Sequence, residues 1–248
     1  MPLDLCPWEK PILLAAATGN IQDLQQELTR GEHVDTRDFE SRRTCLHWAV
    51  LGGHDEVVQL LLAHGADRSA TEPSQGRTPL QDAVAAGHST IVKRLIDAGA
   101  HADAHDMRGD TPLILATKQD SVEISKILLE AKADPNARDW SRGQTPLSLA
   151  SEKGQEDMMH LLLGHDAAVS LADDQGTTPL MHALQNDQAG IARILAAREA
   201  RDDLGDAESI LSTAVSQLKL STDDPYRGLD DEAQLLRASK DQNPEYLK

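Results

Sequence analysis

Aromatic side chains are scarce in this chain: only 2% of its 248 residues are Phe, Trp or Tyr. That excludes a core built on large rings, so small and aliphatic side chains must fill the interior. Cysteine is rarer still. Cys6 and Cys45 are the only two, too few for a disulfide scaffold and without zinc-type spacing. A reduced compartment, cytoplasmic and/or nuclear, is the expected setting. No Asn-x-Ser/Thr sequon occurs, and no apolar run approaches the ~20 residues that cross a bilayer. The N-terminal residues lack a basic flank before the short run Ile12 to Ala17 and make a poor signal peptide. No Gly-rich phosphate loop is present, and neither cysteine sits in a nucleophile's context. Positive charge is also in short supply, with 24 Lys and Arg against 41 Asp and Glu, a net charge of −17. A field of that sign repels phosphate, so neither nucleic acid nor an anionic membrane is an expected partner.

What the chain does have is a repeat. Thr44-Cys45-Leu46-His47, Thr78-Pro79-Leu80-Gln81, Thr111-Pro112-Leu113-Ile114, Thr145-Pro146-Leu147-Ser148 and Thr178-Pro179-Leu180-Met181 follow at steps of 34, 33, 34 and 33. Lys10-Pro11-Ile12-Leu13 is a weaker sixth copy. In each unit a Thr able to cap free amides precedes a Pro suited to the first turn of a helix. In the unit from Thr78, Leu80, Ala83 and Val84 recur at helical spacing, Gly87 stops that helix, and Ile91, Val92, Leu95 and Ile96 stripe a second that ends at Gly99. Small pairs such as Ala15-Ala16 and Ala49-Val50 allow close approach of neighbouring layers. Each helix pair exposes apolar faces that only the next can cover, so stability is nearest-neighbour in character.

The period, the Thr-Pro-Leu motif, Gly53-His54 and Gly87-His88 between helices, and Gly65-Ala66-Asp67 after them resemble the ankyrin-repeat family over about four fifths of the chain. The resemblance implies an all-α solenoid of six helix pairs, each followed by a β-hairpin-like finger, the stack curving into a cup. The expected repeats lie near 8–38, 39–72, 73–105, 106–138, 139–172 and 173–201. Residues 202–248 form either a helical C-terminal cap or a partly disordered acidic tail, with eleven acids against five bases. Asp120 and Asp187 replace the inter-helix Gly, and Lys132, Asp166 and Glu199 replace the Gly after the second helix. Regular stacking is expected to end in the sixth repeat. The segment Ser41 to Ala49 also shows a weak local similarity to gankyrin-type proteasome assembly chaperones.

The ten histidines do not assemble a metal site. His47 falls at the motif's fourth place and His54 and His88 at the Gly-His junction, positions that are structural in this family. His101 and His105, with Asp103 and Asp106 nearby, read as a solvated loop. The segments before each Thr are more telling. They carry Arg42 and Arg43, then Arg77, Arg108 and Arg142, interleaved with Phe39, Met107 and Trp140, while Trp8 precedes the first repeat. Side-by-side fingers would align these arginines in a ladder on an acidic molecule. Arg and Trp are enriched at binding hot spots, and guanidinium pairs bidentately with carboxylate and phosphate. Alternatively, the arginines only offset local acids such as Asp38, Glu40, Asp110 and Asp139. The family's layout implies a cup lined by Leu51, Lys118, Gln119 and Lys153 among others, small or apolar in early repeats and polar in later ones. Asn136 lies in a loop resembling those where family members accept asparaginyl hydroxylation, and Ser221, with Asp224 three residues on, suits an acid-directed kinase. The expected function is protein–protein interaction, as an adaptor, scaffold or assembly chaperone taking an acidic or phosphorylated segment. The chain is expected to be monomeric alone, without cofactor or metal, and not an enzyme. The alternative is an unorthodox enzyme or small-molecule binder using the cup.

Overall fold

The structure, a computed structural model, describes residues 10–202. Readings that rest on Cys6, Trp8, Ser221 and the segment after residue 202 lie outside the described residues. Twelve helices occur among them: α1 Pro11–Thr18, α2 Ile21–Thr29, α3 Cys45–Leu51, α4 Asp55–Ala63, α5 Pro79–Ala85, α6 Ser89–Asp97, α7 Pro112–Lys118, α8 Val122–Glu130, α9 Pro146–Lys153, α10 Glu156–Gly164, α11 Pro179–Gln185 and α12 Ala189–Asp202. No strand is present among these residues, only an isolated bridge between Arg37 and Thr44. This is an all-α solenoid. The odd-numbered helices pack in one row (α1 on α3, α3 on α5, onward to α11) and the even-numbered helices in a second.

The motif builds α3, α5, α7, α9 and α11 by local chemistry, while α1 starts after Lys10 without a side-chain cap. The side chains of Thr44, Thr78, Thr111, Thr145 and Thr178 accept from the backbone N–H of His47, Gln81, Ile114, Ser148 and Met181. Each such cap is worth about 1 kcal/mol. Cys45 opens α3 where the other five copies have Pro, and it is fully buried. Leu46, Leu80, Leu113, Leu147 and Leu180 are buried in one column, and Ala49, Ala83, Ala116, Ala150 and Ala183 in another. The alanines let adjacent layers approach closely. On the even helices, Leu61, Leu95, Leu128, Leu162 and Leu195 form the matching buried column. Burial of each such leucine contributes about 1.5–3 kcal/mol.

The turns explain why the missing glycines are tolerated. The inter-helix turn is left-handed at Gly19, Gly53, Gly87 and Gly154, and Asp120 and Asp187 adopt the same positive φ. Aspartate is among the residues least penalised there. Lys132 and Asp166 likewise keep the left-handed stop after α8 and α10. Glu199 is different: α12 runs through it to Asp202, so the sixth pair lacks the stop that ends the others.

Candidate functional site

The fingers are organised by a feature that reading residue by residue missed. A carboxylate is buried at the base of each one: Asp38, Glu72, Asp106, Asp139 and Asp173. Each finger closes when that residue's backbone N–H donates to a carbonyl, of Arg43, Arg77, Asp110, Gln144 and Thr177 respectively. The carboxylate then collects the finger's inward-turned donors. Asp38 accepts from Ser41 N at 2.6 Å, Ser41 Oγ at 2.6 Å, Arg43 N at 2.9 Å and Trp48 Nε1 at 3.1 Å. Glu72 accepts from the amides of Ser74, Gln75 and Arg77, and from the Ser74 hydroxyl. Asp173 accepts from Gln175 N, Thr177 N and His182 Nε2. Burial alone would raise the pKa of Asp38, but the bonds from Ser41, Trp48 and Arg43 outweigh it and hold the carboxyl below its usual range. Glu72, Asp139 and Asp173 are lowered in the same way. The recurrence of an acid ahead of every finger was the available signal.

Neighbouring fingers are also linked by their backbones. Met107 N donates to Gln75 O (2.8 Å), Trp140 N to Arg108 O (3.1 Å) and Asp174 N to Arg142 O (2.9 Å). The corresponding residue of the preceding finger is Pro73, which has no N–H to give. The link therefore starts at the finger of Gln75, and the Phe39–Arg43 finger lies outside that chain of bonds. Arg37 ties it instead, bonding Arg42 O at 2.8 Å and Thr71 O at 3.0 Å.

The arginines singled out in sequence divide into two groups. Arg43 and Arg77 are turned inward. Their Nε atoms lie 3.9 Å from Asp82 and 3.6 Å from Asp106, both side chains are 21% exposed, and Arg43 lies over the Trp48 ring at 5.6 Å. Arg43 Nε, Arg77 Nε, Asp82 Oδ2 and Asp106 Oδ2 are buried without a hydrogen bond. Arg42 and Arg108 are exposed, and among the described residues their guanidinium groups meet no carboxylate; Arg142 is exposed with Glu152 at 3.8 Å. The large apolar side chains stand out as well: Phe39 is 85% exposed, Met107 60% and Trp140 65%. Trp140 stacks on His105, ring centroids 5.5 Å apart.

The C-terminal ends of successive odd helices are tied to one another, and from α7 a lysine reaches the fingers. Leu51 is half-buried. Lys118 Nζ bonds Asp110 at 2.6 Å and lies 3.7 Å from Asp139, so a cation from α7 joins two fingers. Gln119 Nε2 donates to Ala85 O and Lys153 Nζ to Lys118 O, each reaching back one repeat. His54 does the same, with Nε2 2.9 Å from Ala17 O. His47 bonds the Thr44 cap and reaches forward to Arg77 O at 3.2 Å. Burial lowers its pKa from 6.5 to about 4, with Arg43 and Arg37 adding to the effect. Among the described residues no three His, Cys, Asp or Glu side chains group as metal ligands.

Asn136 is half-buried, and its Oδ1 accepts from Ala168 N at 2.8 Å in the next repeat. Asp35 and Asp103 do the equivalent for Asp67 N and Asp134 N. Asn136→Ala is therefore expected to lower stability by about 1 kcal/mol, and Asn136→Asp to stay near wild type, in urea denaturation.

A family model described as Ankyrin repeats (3 copies) matches residues 12–106, 70–139 and 139–206. The chain belongs to the ankyrin-repeat family, whose repeats are protein–protein interaction modules. It is 36% identical over 182 residues to the Homo sapiens palmitoyltransferase ZDHHC13, covering 73% of this chain and 29% of that one. It is 32% identical over 161 residues to the Danio rerio putative palmitoyltransferase ZDHHC13, covering 64% and 25%. Rabankyrin-5 of Mus musculus is 29% identical over 164 residues, 65% of this chain and 14% of that one. The match accounts for under a third of the length of each. Among the described residues no helix is long and apolar enough to cross a membrane.

Proposed function

We propose that the array works as an adaptor, scaffold or assembly chaperone that takes an acidic or phosphorylated segment of another protein along its fingers and the adjoining helix ends. One observation carries the reading: Arg42 and Arg108 are exposed and, among the described residues, without a carboxylate partner, on a chain of net charge −17. Local cation sites on an acidic background steer anionic segments and reject basic ones. Half-buried Leu51 and the exposed Gln119 and Lys153 offer further contacts at the ends of the odd helices. The array itself is read as non-catalytic and monomeric on its own, in the cytoplasm and/or nucleus. Against the competing enzyme reading, the Cys45 thiol is buried and desolvation pushes its pKa up to about 12, so it does not supply a thiolate.

The test is capture of partners by the full chain and by the triple variant Arg42→Glu, Arg108→Glu, Arg142→Gln, the last kept neutral because Glu152 lies 3.8 Å from Arg142. Arg43 and Arg77 are left intact because a carboxylate there would face Asp82 and Asp106 and unfold the array. The triple variant is expected to lose about tenfold or more of its captured material at an unchanged melting temperature. Undiminished capture would overturn the proposal.

A further inference from the structure

Three of the five fingers among the described residues present the same pair at their tips: a large apolar side chain and an arginine. These are Phe39 with Arg42, Met107 with Arg108, and Trp140 with Arg142, all exposed. Two of the apolar groups are braced from behind. Met107 lies against Gly76 and Trp140 against Gly109, where a Cβ would collide with the neighbouring side chain. Trp140 is further held by its stack on His105. Such side chains lose little freedom on binding, which favours affinity.

Arg42 supplies an independent observation. Its φ is 57°, and the same place in the other fingers holds Gly76, Gly109, Gly143 and Gly176, all at positive φ. Glycine adopts this conformation freely and arginine does not. The chain thus keeps an arginine where its own pattern favours glycine, and among the described residues that side chain has no hydrogen bond or ion pair that would account for it. Strained residues of this kind concentrate where a side chain is used.

We infer that the finger tips bind one extended, carboxylate-bearing segment of a partner protein, in which an acidic residue and an apolar residue recur together at three points. This deepens the proposed function and rests on it. Carboxylates match the exposed guanidiniums, and the apolar partners match the tips. Helices in successive layers lie roughly 10 Å apart, so the tip pairs at Trp140 and Met107 are separated by about 10 Å and those at Met107 and Phe39 by about 20 Å. An extended chain advances about 3.3 Å per residue. The acidic–apolar pairs should therefore fall about three and about six residues apart.

The probes are three fluorescein-labelled peptides binding the full chain at low ionic strength, read by anisotropy. One carries Glu-Leu pairs at the six-and-three spacing, one has the same composition shuffled, and one replaces each Glu by phosphoserine. The spaced Glu-Leu peptide is expected to bind about tenfold more tightly than the shuffled one. Arg42→Gly is expected to weaken it several-fold with a melting temperature no lower than wild type, and Phe39→Ala to weaken it without changing the melting temperature. Equal binding of spaced and shuffled peptides, preference for the phosphoserine form alone, or full affinity in Arg42→Gly would each overturn the inference. If spaced and shuffled peptides bind equally and both are lost in the triple arginine variant, the acidic-partner reading stands and only the tip spacing falls.

Discussion

At pH 7, Asp82→Leu is expected to stabilise the array by about 2 kcal/mol, and the gain is expected to vanish near pH 4. Asp82 is 2% exposed, its Oδ2 has no hydrogen bond, and the nearest cation, Arg43 Nε, is 3.9 Å away. Desolvation drives its pKa from 3.8 up to about 6, with Arg43 and Arg77 opposing and Glu72 reinforcing the shift. The folded state thus holds the proton more tightly than the unfolded one. Ionised Asp82 destabilises the fold fully above pH 6, less as pH falls through 6, and not at all once pH is below 3.8. That net shift, with the attraction of Arg43 and Arg77 already included, corresponds to about 3 kcal/mol, and leaving Arg43 without its nearest carboxylate offsets part of it. The other repeats hold Trp48, Leu115, Leu149 and His182 at this place, so a leucine fits the layer.

The neighbouring His47 has the opposite sign. Its pKa is lowered from 6.5 to about 4, so stability is lost as pH falls below 6.5 and the loss is complete below 4, again about 3 kcal/mol. In the wild type the two effects offset one another between pH 6.5 and 4. In Asp82→Leu the effect of His47 is uncovered, and stability should fall steeply over that interval. Urea midpoints of both proteins at pH 7 and pH 4 check this. A variant less stable than wild type at pH 7 would mean that the Arg43 and Arg77 attractions outweigh the desolvation of Asp82.

The extent to which this architecture could be read from residues follows from how local each cause is. A Thr cap, a Pro in the first turn and Leu or Ala columns act within one repeat, and all five motif copies behave alike. Asp120, Lys132, Asp166 and Asp187 looked like departures, yet their backbones keep the left-handed turn because packing on both sides determines it. Glu199 is the replacement that changes the path, through continuation of α12. The site was less legible. Arg42 and Arg43 are adjacent and chemically identical, but the positive φ at 42 sends one side chain to solvent and leaves the other beside Asp82. Nothing in the order of residues states that φ. The acids before each finger look like ordinary surface charge until the inward-facing amides of Ser41, Arg43 and their counterparts are seen.

Asp38→Ala is expected to destabilise the array by about 3 kcal/mol and to release the Phe39–Arg43 finger selectively. The substitution removes an acceptor serving four donors, all within 2.6–3.1 Å, two of them finger amides and one the Trp48 indole. Each bond to a charged acceptor contributes about 1.5–3 kcal/mol, and water entering the vacated space recovers part of the loss. The same operation at Asp139 has a different reach. Its finger stays linked on both sides, through Trp140 N to Arg108 O and Asp174 N to Arg142 O, although Lys118 loses one of its two carboxylates. The Phe39–Arg43 finger has no such link, because Pro73 cannot donate one. Hydrogen exchange at Ser41 and Arg43 should therefore accelerate far more in Asp38→Ala than exchange at Arg142 and Gln144 does in Asp139→Ala. Equal acceleration in the two variants would show that the finger-to-finger bonds contribute nothing to local order, and that the buried carboxylates alone hold the arginines and aromatic tips in place.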